Sequence, residues 1–323
     1  MSAASALDYR CWPFYTGGME RSSIAILYQD HHLLIVDKPA GLVVHPTYKH
    51  ADGTLWDLLR EDLARQGSDG WSPPAIVDEP GWEHAPDDVR LMLREKRLAK
   101  IWREQGWLER PVLLHRLDKD TSGALALART ALACQHIARQ FSAHTIVKRY
   151  LAVARRGSPV WALPRAPFSV VLLATGERLD QPLDLTSRRG ATLLLDGPLQ
   201  RDPAERRRCI VGPDGQVAQT RVHVLAVWDD YVLVEARPVT GRTHQIRAHM
   251  AALGYALVGD TTYALPADPA SPGSQLARQF LHAASLTLRD YPTNRSRTFV
   301  SPLPPDLVAW LKAYGPALLE EIV

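Results

Sequence analysis

Residues 115–123, His-Arg-Leu-Asp-Lys-Asp-Thr-Ser-Gly, pack charged and turn-forming residues between two apolar runs. Val112-Leu113-Leu114 leads in and Ala124-Leu125-Ala126-Leu127-Ala128 leads out. Asp, Ser, Thr and Gly bounded by apolar runs are turn chemistry. A loop carried on a rigid sheet is also where reactive side chains tend to sit. Taken alone, the stretch is either such a site or a charged surface turn in which Asp118 pairs with Arg116 or Lys119.

Downstream, Thr130 is placed to cap a helix over 131–141, with Leu132, Ile137 and Phe141 buried. Residues 146–154 read as a strand. Its period of two puts Lys148 and Tyr150 on one face and Val147, Leu151 and Val153 on the other. Lys and Tyr together on an exposed face can hold a phosphate and stack on a base. The same pattern also fits a half-buried aromatic with its hydroxyl at the surface. Strand-like runs at 169–174, 191–195, 208–211 and 220–227, parted by turn residues, predict antiparallel sheet. Gly212-Pro213-Asp214-Gly215 is a hairpin signal. A strand at 231–236 then leads past Thr240-Gly241 into a helix that ends at Gly254, a good C′ residue. Ile246, Met250 and Leu253 make its buried stripe, and Arg247 turns about 100° away, on a face shared with His244. A basic helix start after a Gly turn, here with Arg242, suits phosphate. His244 and His249 are five apart and point to different sides, and the histidines lack Cys partners. No metal site is expected.

Upstream, Leu33–Val36 is a short buried-strand signal ended by Asp37-Lys38-Pro39-Ala40-Gly41. Lys38 and Pro39 either terminate that strand or lie near a cleft. Residues 54–63 read as a helix with Leu55, Leu58, Leu59 and Leu63 on one side. Residues 1–22 show no periodicity and read as an arm. Residues 66–110 look inserted: a Gly-, Ser-, Pro- and acid-rich half, then a helix candidate opened by Pro86 with Asp87 and Asp88 in its first turn. Trp71, Trp82, Trp102 and Trp107 there serve either an RNA surface or the private core of an inserted subdomain. At the far end, 280–288 reads as a strand and 302–311 as a proline-capped helix.

The 323 residues can bury a sizeable core in one or two domains. Hydrophobic residues make up 46% and charged residues 23%, an ordinary globular balance. No apolar run reaches the roughly 18 residues of a membrane span. The first residues lack the charge-then-apolar pattern of a secretory signal. Three isolated cysteines form no disulfide framework, so the cytoplasm is the default compartment. The net charge of +3 permits a nucleic-acid partner without requiring one. Arginine concentrations at 139–156, 188–208 and 237–247 can neutralise backbone phosphates or simply be solvated faces.

The nine-residue run resembles HRLDxxTSG, the signature of the RluA-type pseudouridine synthases. "DHHLLIVDKPAGLVVHP" and "RPVTGRTHQIRAHMAALGYALVGDTTYA" are similar to that family's first and third blocks, in the same order. The likeness runs from about residue 24 to 312, with 66–110 as the main departure. Too few residues precede Leu27 for the S4 domain many members carry, so the chain resembles the S4-lacking branch. The resemblance implies an α+β fold: a mixed, mainly antiparallel sheet flanked by helices, with an RNA cleft across it. It implies Asp118 as the catalytic carboxylate, Arg247 as its basic partner and Tyr150 as the aromatic at the target base. Arg116 resembles the family Arg that occupies the space the base vacates. Lys38, Thr121, Lys148, Arg242 and His244 complete the expected RNA-binding set.

Chemistry agrees with that assignment. Uridine becomes pseudouridine when the N–C bond breaks, the base turns and C5 bonds to C1′. No redox step occurs, so no cofactor is expected. An unpaired buried Asp would be driven neutral, whereas a nearby Arg favours the charged form. An Asp118–Arg247 pair from blocks 129 residues apart is therefore the central expectation. Asp118 either attacks C1′ or abstracts the C2′ proton. The expected partner is rRNA or tRNA, acted on by a monomer without metal or membrane. Two other classes remain: a non-catalytic RNA-binding or ribosome-assembly protein on the same scaffold, and a carboxylate hydrolase using Asp118 with Glu109 or Asp120, which lacks a second acid at a defined separation.

Overall fold

Short β-branched and apolar runs bounded by turn residues become strands, and those apolar on both faces take central positions. A computed structural model describes residues 24–44, 107–265 and 271–316, with scattered positions between 54 and 93. The chain order is β1 (Ala25–Gln29), β2 (Leu33–Lys38), β3 (Trp107–Leu113), β4 (Ser122–Thr130), α1 (Ala131–Ser142), β5 (Val147–Arg156), β6 (Ser169–Leu172), β7 (Arg178–Leu179) and β8 (Thr192–Asp196). It continues with β9 (Leu199–Arg201), β10 (Cys209–Val211), β11 (Gln219–Trp228), β12 (Tyr231–Pro238), α2 (Gln245–Ala252), β13 (Tyr255–Leu257), β14 (Leu281–Arg289), β15 (Ser296–Val300) and α3 (Pro305–Tyr314).

One large sheet runs β1-β2-β4-β14-β5-β12-β11-β8-β6-β7, with β3, β13 and β15 as side pairings. Every pairing among the described strands is antiparallel except β4 with β14. The sheet is thus mixed and mainly antiparallel, as expected. The cross-strand registers put Ser122, His282, Leu151 and Glu235 in one row. That row brings the start of β4 level with the end of β12. Leu117 and α2 residues Ile246 and Met250 then pack into one core with Tyr150, Ala152 and Ala154. The sheet therefore carries the 115–123 loop and α2 to the same place.

Several local expectations hold. Thr130 accepts from the Ala133 N–H at the start of α1, and Gly254 follows α2 at φ +91°. Thr54 and Asp57 close a capping turn, with Leu55 and Leu59 buried. Others need correction. Leu132 points outward, and Ala133 and Ile137 carry the buried face of α1. α2 is buried on all sides rather than along one stripe. The Gly212–Gly215 turn forms, but its flanks do not pair with each other. Residues 209–211 and Gln216 both pair with β9. The 1–22 arm, most of 66–110, and Leu63 lie outside the described residues.

Candidate active site

The loop between β3 and β4 is held by its backbone carbonyls. Asp118 O accepts from the Thr121 N–H at 3.1 Å. Lys119 O accepts from Lys38 Nζ at 2.8 Å, and Lys38 also donates to Pro39 O at 2.8 Å. Asp120 O accepts from Arg278 Nη1 at 3.2 Å, while Arg278 Nε and Nη2 grip Asp306 at 2.7 and 3.1 Å. Three successive carbonyls thus meet three donors, two of them cationic. Lys38 is fully buried, and that burial brings its pKa down to about 8 against the pull of Asp120 and Asp118. Where β4 begins, Ser122 Oγ lies 3.0 Å from His282 Nδ1. Gly123 has φ +120°, and a Cβ there would sit 2.4 Å from the Ala283 carbonyl oxygen. Only glycine lets β4 run this close beside β14.

With its backbone tied down, the Asp118 side chain is left 21% exposed. The opposing wall is the start of α2. Its N-cap, His244, stands in the left-handed region at φ +55°, a costly conformation for a non-glycine residue that tends to occur at functional sites. One turn on, Arg247 donates from Nη1 to Asp118 Oδ2 at 3.3 Å. Its other edge is engaged by Asp260, with Nε to Oδ2 at 2.6 Å and Nη2 to Oδ1 at 2.8 Å. Asp260 is itself fixed by the N–H groups of Thr262 and Tyr263. Burial opposes the Arg247 charge, but Asp260 and then Asp118 more than restore it, so the guanidinium pKa is raised.

His244 Nε2 lies 3.8 Å from Asp118 Oδ2. Its Nδ1 is 3.3 Å from the Tyr263 hydroxyl, which already donates to Cys209 O and accepts from the Cys209 N–H. The hydroxyl is thus held between Cys209 and His244, while His244 Nε2 is turned towards Asp118. Burial lowers the His244 pKa against the pull of Asp118, with Arg247 adding to the lowering.

The expected RNA-contact residues divide into two groups. Arg116 and Arg242 are exposed, and Arg242 Nε donates to Val217 O at 3.1 Å. Lys148 is half-buried, with Nζ 3.4 Å from Thr240 O. Lys38 and Thr121 are buried, which corrects their reading as surface contacts. Lys38 holds the loop, and Thr121 Oγ1 accepts from Gln279 Nε2 at 3.3 Å. Tyr150 also needs correction: its face of β5 is packed into the core, not exposed. Burial and the nearby Asp118 charge raise its pKa, so the phenol stays protonated.

A cavity of about 320 Å³ adjoins this wall, lined by Gln200, Arg201, Cys209, Gln216, Arg242 and Thr243. Many of the basic residues singled out by sequence are paired. Arg149 and Arg237 meet at Glu235, Arg165 and Arg208 at Asp202, and Arg207 at Glu205. Among the described residues no three His, Cys, Asp or Glu side chains gather as a metal set. No described helix is long and apolar enough to cross a membrane.

Sequence reasoning missed Asp260 and Arg278. A signal for Asp260 was present: an acid after the apolar run Ala256-Leu257-Val258 is headed for burial, and a buried charge needs a partner.

The sequence model of the RNA pseudouridylate synthase family matches residues 32–252, more than half of the chain. The chain belongs to that family. An uncharacterized RNA pseudouridine synthase from Chloroflexus aurantiacus is 34% identical over 271 residues, covering 84% of this chain and 63% of that protein. Ribosomal large subunit pseudouridine synthase D from Nitrosomonas europaea is 31% identical over 297 residues, covering 91% and 66%. The chain thus spans just under two thirds of the length of these two relatives. A solved structure, human RNA pseudouridylate synthase domain containing 1, superposes with a TM-score of 0.53 at 24% identity, covering 90% of both chains. That likeness bears on the fold alone.

Proposed function

We propose that this chain is an RNA pseudouridine synthase that isomerises a uridine in structured RNA, with Asp118 as the reacting carboxylate. The observation that carries the reading is the meeting of Asp118 and Arg247, 129 residues apart, at 3.3 Å with the carboxylate partly exposed. Both stand at positions that match the family's blocks. Names among the relatives favour large-subunit rRNA over tRNA as the target; the place of action that goes with such a target is the cytoplasm.

The target base must leave its stack, at a cost of a few kcal/mol. Exposed Arg116 and Arg242 offset that cost through phosphate contacts, and Arg116 fills the space the base leaves. Once seated, the uracil lies beside Asp118, with the protonated phenol of buried Tyr150 backing the site from the core side. Asp118 then either attacks C1′ or takes the C2′ proton, releasing N1 from the sugar. After the base turns, C5 bonds to C1′ as the Asp118–C1′ ester bond breaks or, on the other route, as Asp118 returns its proton to C2′; the C5 proton then leaves while N1 gains one. Residues 23–323 act as one catalytic unit, with 66–110 as an insertion that sets target choice.

Asp118→Asn keeps the shape of the side chain and removes its charge. It should lower tritium release from uridine-labelled RNA by ~10³-fold or more while RNA affinity stays near wild type. Wild-type turnover by this variant would overturn the assignment. Mapping pseudouridine in total RNA with and without the gene identifies the target. Loss of no site there would favour a non-catalytic binding protein.

A further inference from the structure

Arg247 offers five donors, yet Asp118 receives one. The Nε–Nη2 edge is held by Asp260 at 2.6 and 2.8 Å, the range of strong charge-assisted bonds. The Nη1 contact to Asp118 is longer, at 3.3 Å. Arg247 is 7% exposed and Asp260 fully buried, so this pairing is built into the fold. Its support is continuous with the chain. Gly259, at φ +71°, passes so close to the Arg278 carbonyl that a Cβ would lie 2.1 Å from its oxygen. The turn that follows aims Asp260 under α2, and the Thr262 and Tyr263 N–H groups fix its Oδ1.

We infer that Asp260 is a positioning residue: it fixes Arg247 side-on and takes up its charge, so that Asp118 is steadied through one oxygen and left free to react. This rests on the reading of Asp118 as the reacting carboxylate. A guanidinium free to turn would take Asp118 in the two-bond fork that Arg and carboxylate favour. Both oxygens would then be engaged, and the carboxylate would be a poorer nucleophile or base. Asp260 competes for the same group and wins by geometry. It touches neither sugar nor base and acts wholly through Arg247.

Asp260→Asn is the decisive variant, because the amide oxygen can still accept from Thr262 and Tyr263 while the charge is gone. Turnover on the mapped RNA should fall by ~10²-fold, as expected for a misplaced reacting group, with KM and the unfolding temperature near wild type. Against an Arg247→Lys background the same change should add little further loss. A crystal structure of Asp260→Asn should show Arg247 swung onto Asp118 with two N–H···O contacts. Unchanged kcat, a loss carried in KM, additive losses in the double variant, or an unmoved Arg247 would each overturn the inference. The two readings fail differently. If the wild-type protein modifies no RNA, the enzyme reading fails, and the position of Arg247 in the variant still decides the inference.

Discussion

The two walls of the cleft reach rigidity by opposite means. The 115–123 wall is a loop with few apolar anchors, Leu117 being buried. It is tied by its carbonyls, through Lys38, Arg278 and the Thr121 N–H. The α2 wall is regular and buried on every side. Its internal polar groups are satisfied one by one, His249 by Thr220 and Gly197, Gln245 by Thr240, Thr220 and Gln219. The loop meets one carbonyl with its own Thr121 N–H, and cations far along the chain, Lys38 at the end of β2 and Arg278 just before β14, meet the other two. A helix satisfies its own backbone and needs only packing and side-chain partners. The difference shows where the site is vulnerable: in a few ties on one wall, in overall packing on the other.

The sharpest way to break the comparison is Lys38→Met. It orphans the Pro39 and Lys119 carbonyls, each worth about 1–3 kcal/mol when left without a donor. A loss of about 2–4 kcal/mol in a denaturant midpoint is expected, and an unchanged midpoint would remove Lys38 from the role of tie. The same lysine leaves a pH signature. Its folded pKa of about 8 lies below the unfolded value of 10.5, so the unfolded chain binds the extra proton between them. Stability should therefore rise from pH 8 towards 10, and this rise should be missing in Lys38→Met.

Acid tests both walls at once. His282 on the loop wall and His249 on the helix wall are buried, and burial lowers each pKa from 6.5 to about 4. A depressed folded pKa means the unfolded chain takes up protons first. Stability is full above pH 6.5 and is lost as pH falls towards 4, by about 1.4 kcal/mol per pH unit per histidine. Denaturant midpoints from pH 7 to 5 measure it. His249→Gln and His282→Gln should each remove a similar share of the slope, and a slope indifferent to both would refute this account. The smallest effect is expected from Asp306→Asn. Its carboxylate is 48% exposed, so losing it should lower stability by below about 1 kcal/mol in a denaturant midpoint, and a larger loss would make the Arg278–Asp306 grip part of the loop's tie.

Much of this was legible in sequence where signals are local. The Thr130 cap, the Gly254 stop and the strand at 231–236 were read from neighbouring residues. So was the Asp118–Arg247 pair, which needed the family resemblance to join blocks far apart. Tyr150 was left between an exposed stacking face and a half-buried one because period two gives alternation but not which side is covered; the structure buries it. Lys38 was left between two roles because its partner carbonyl lies 81 residues away. Asp260 sat unread inside a matched block: the apolar run before it signals burial, but its partner on α2 is set by the fold. What escaped was register and crossing, which no short window contains.

The place of β14 has a consequence for how the protein is made. This strand, Leu281–Arg289, lies between β4 and β5, which are joined to each other in sequence by α1 alone. Until it has left the ribosome, the two halves of the cleft lack the strand that sets their spacing. β4 and β5 come side by side only through this late strand, so the spacing of the two walls is fixed by the last third of the chain.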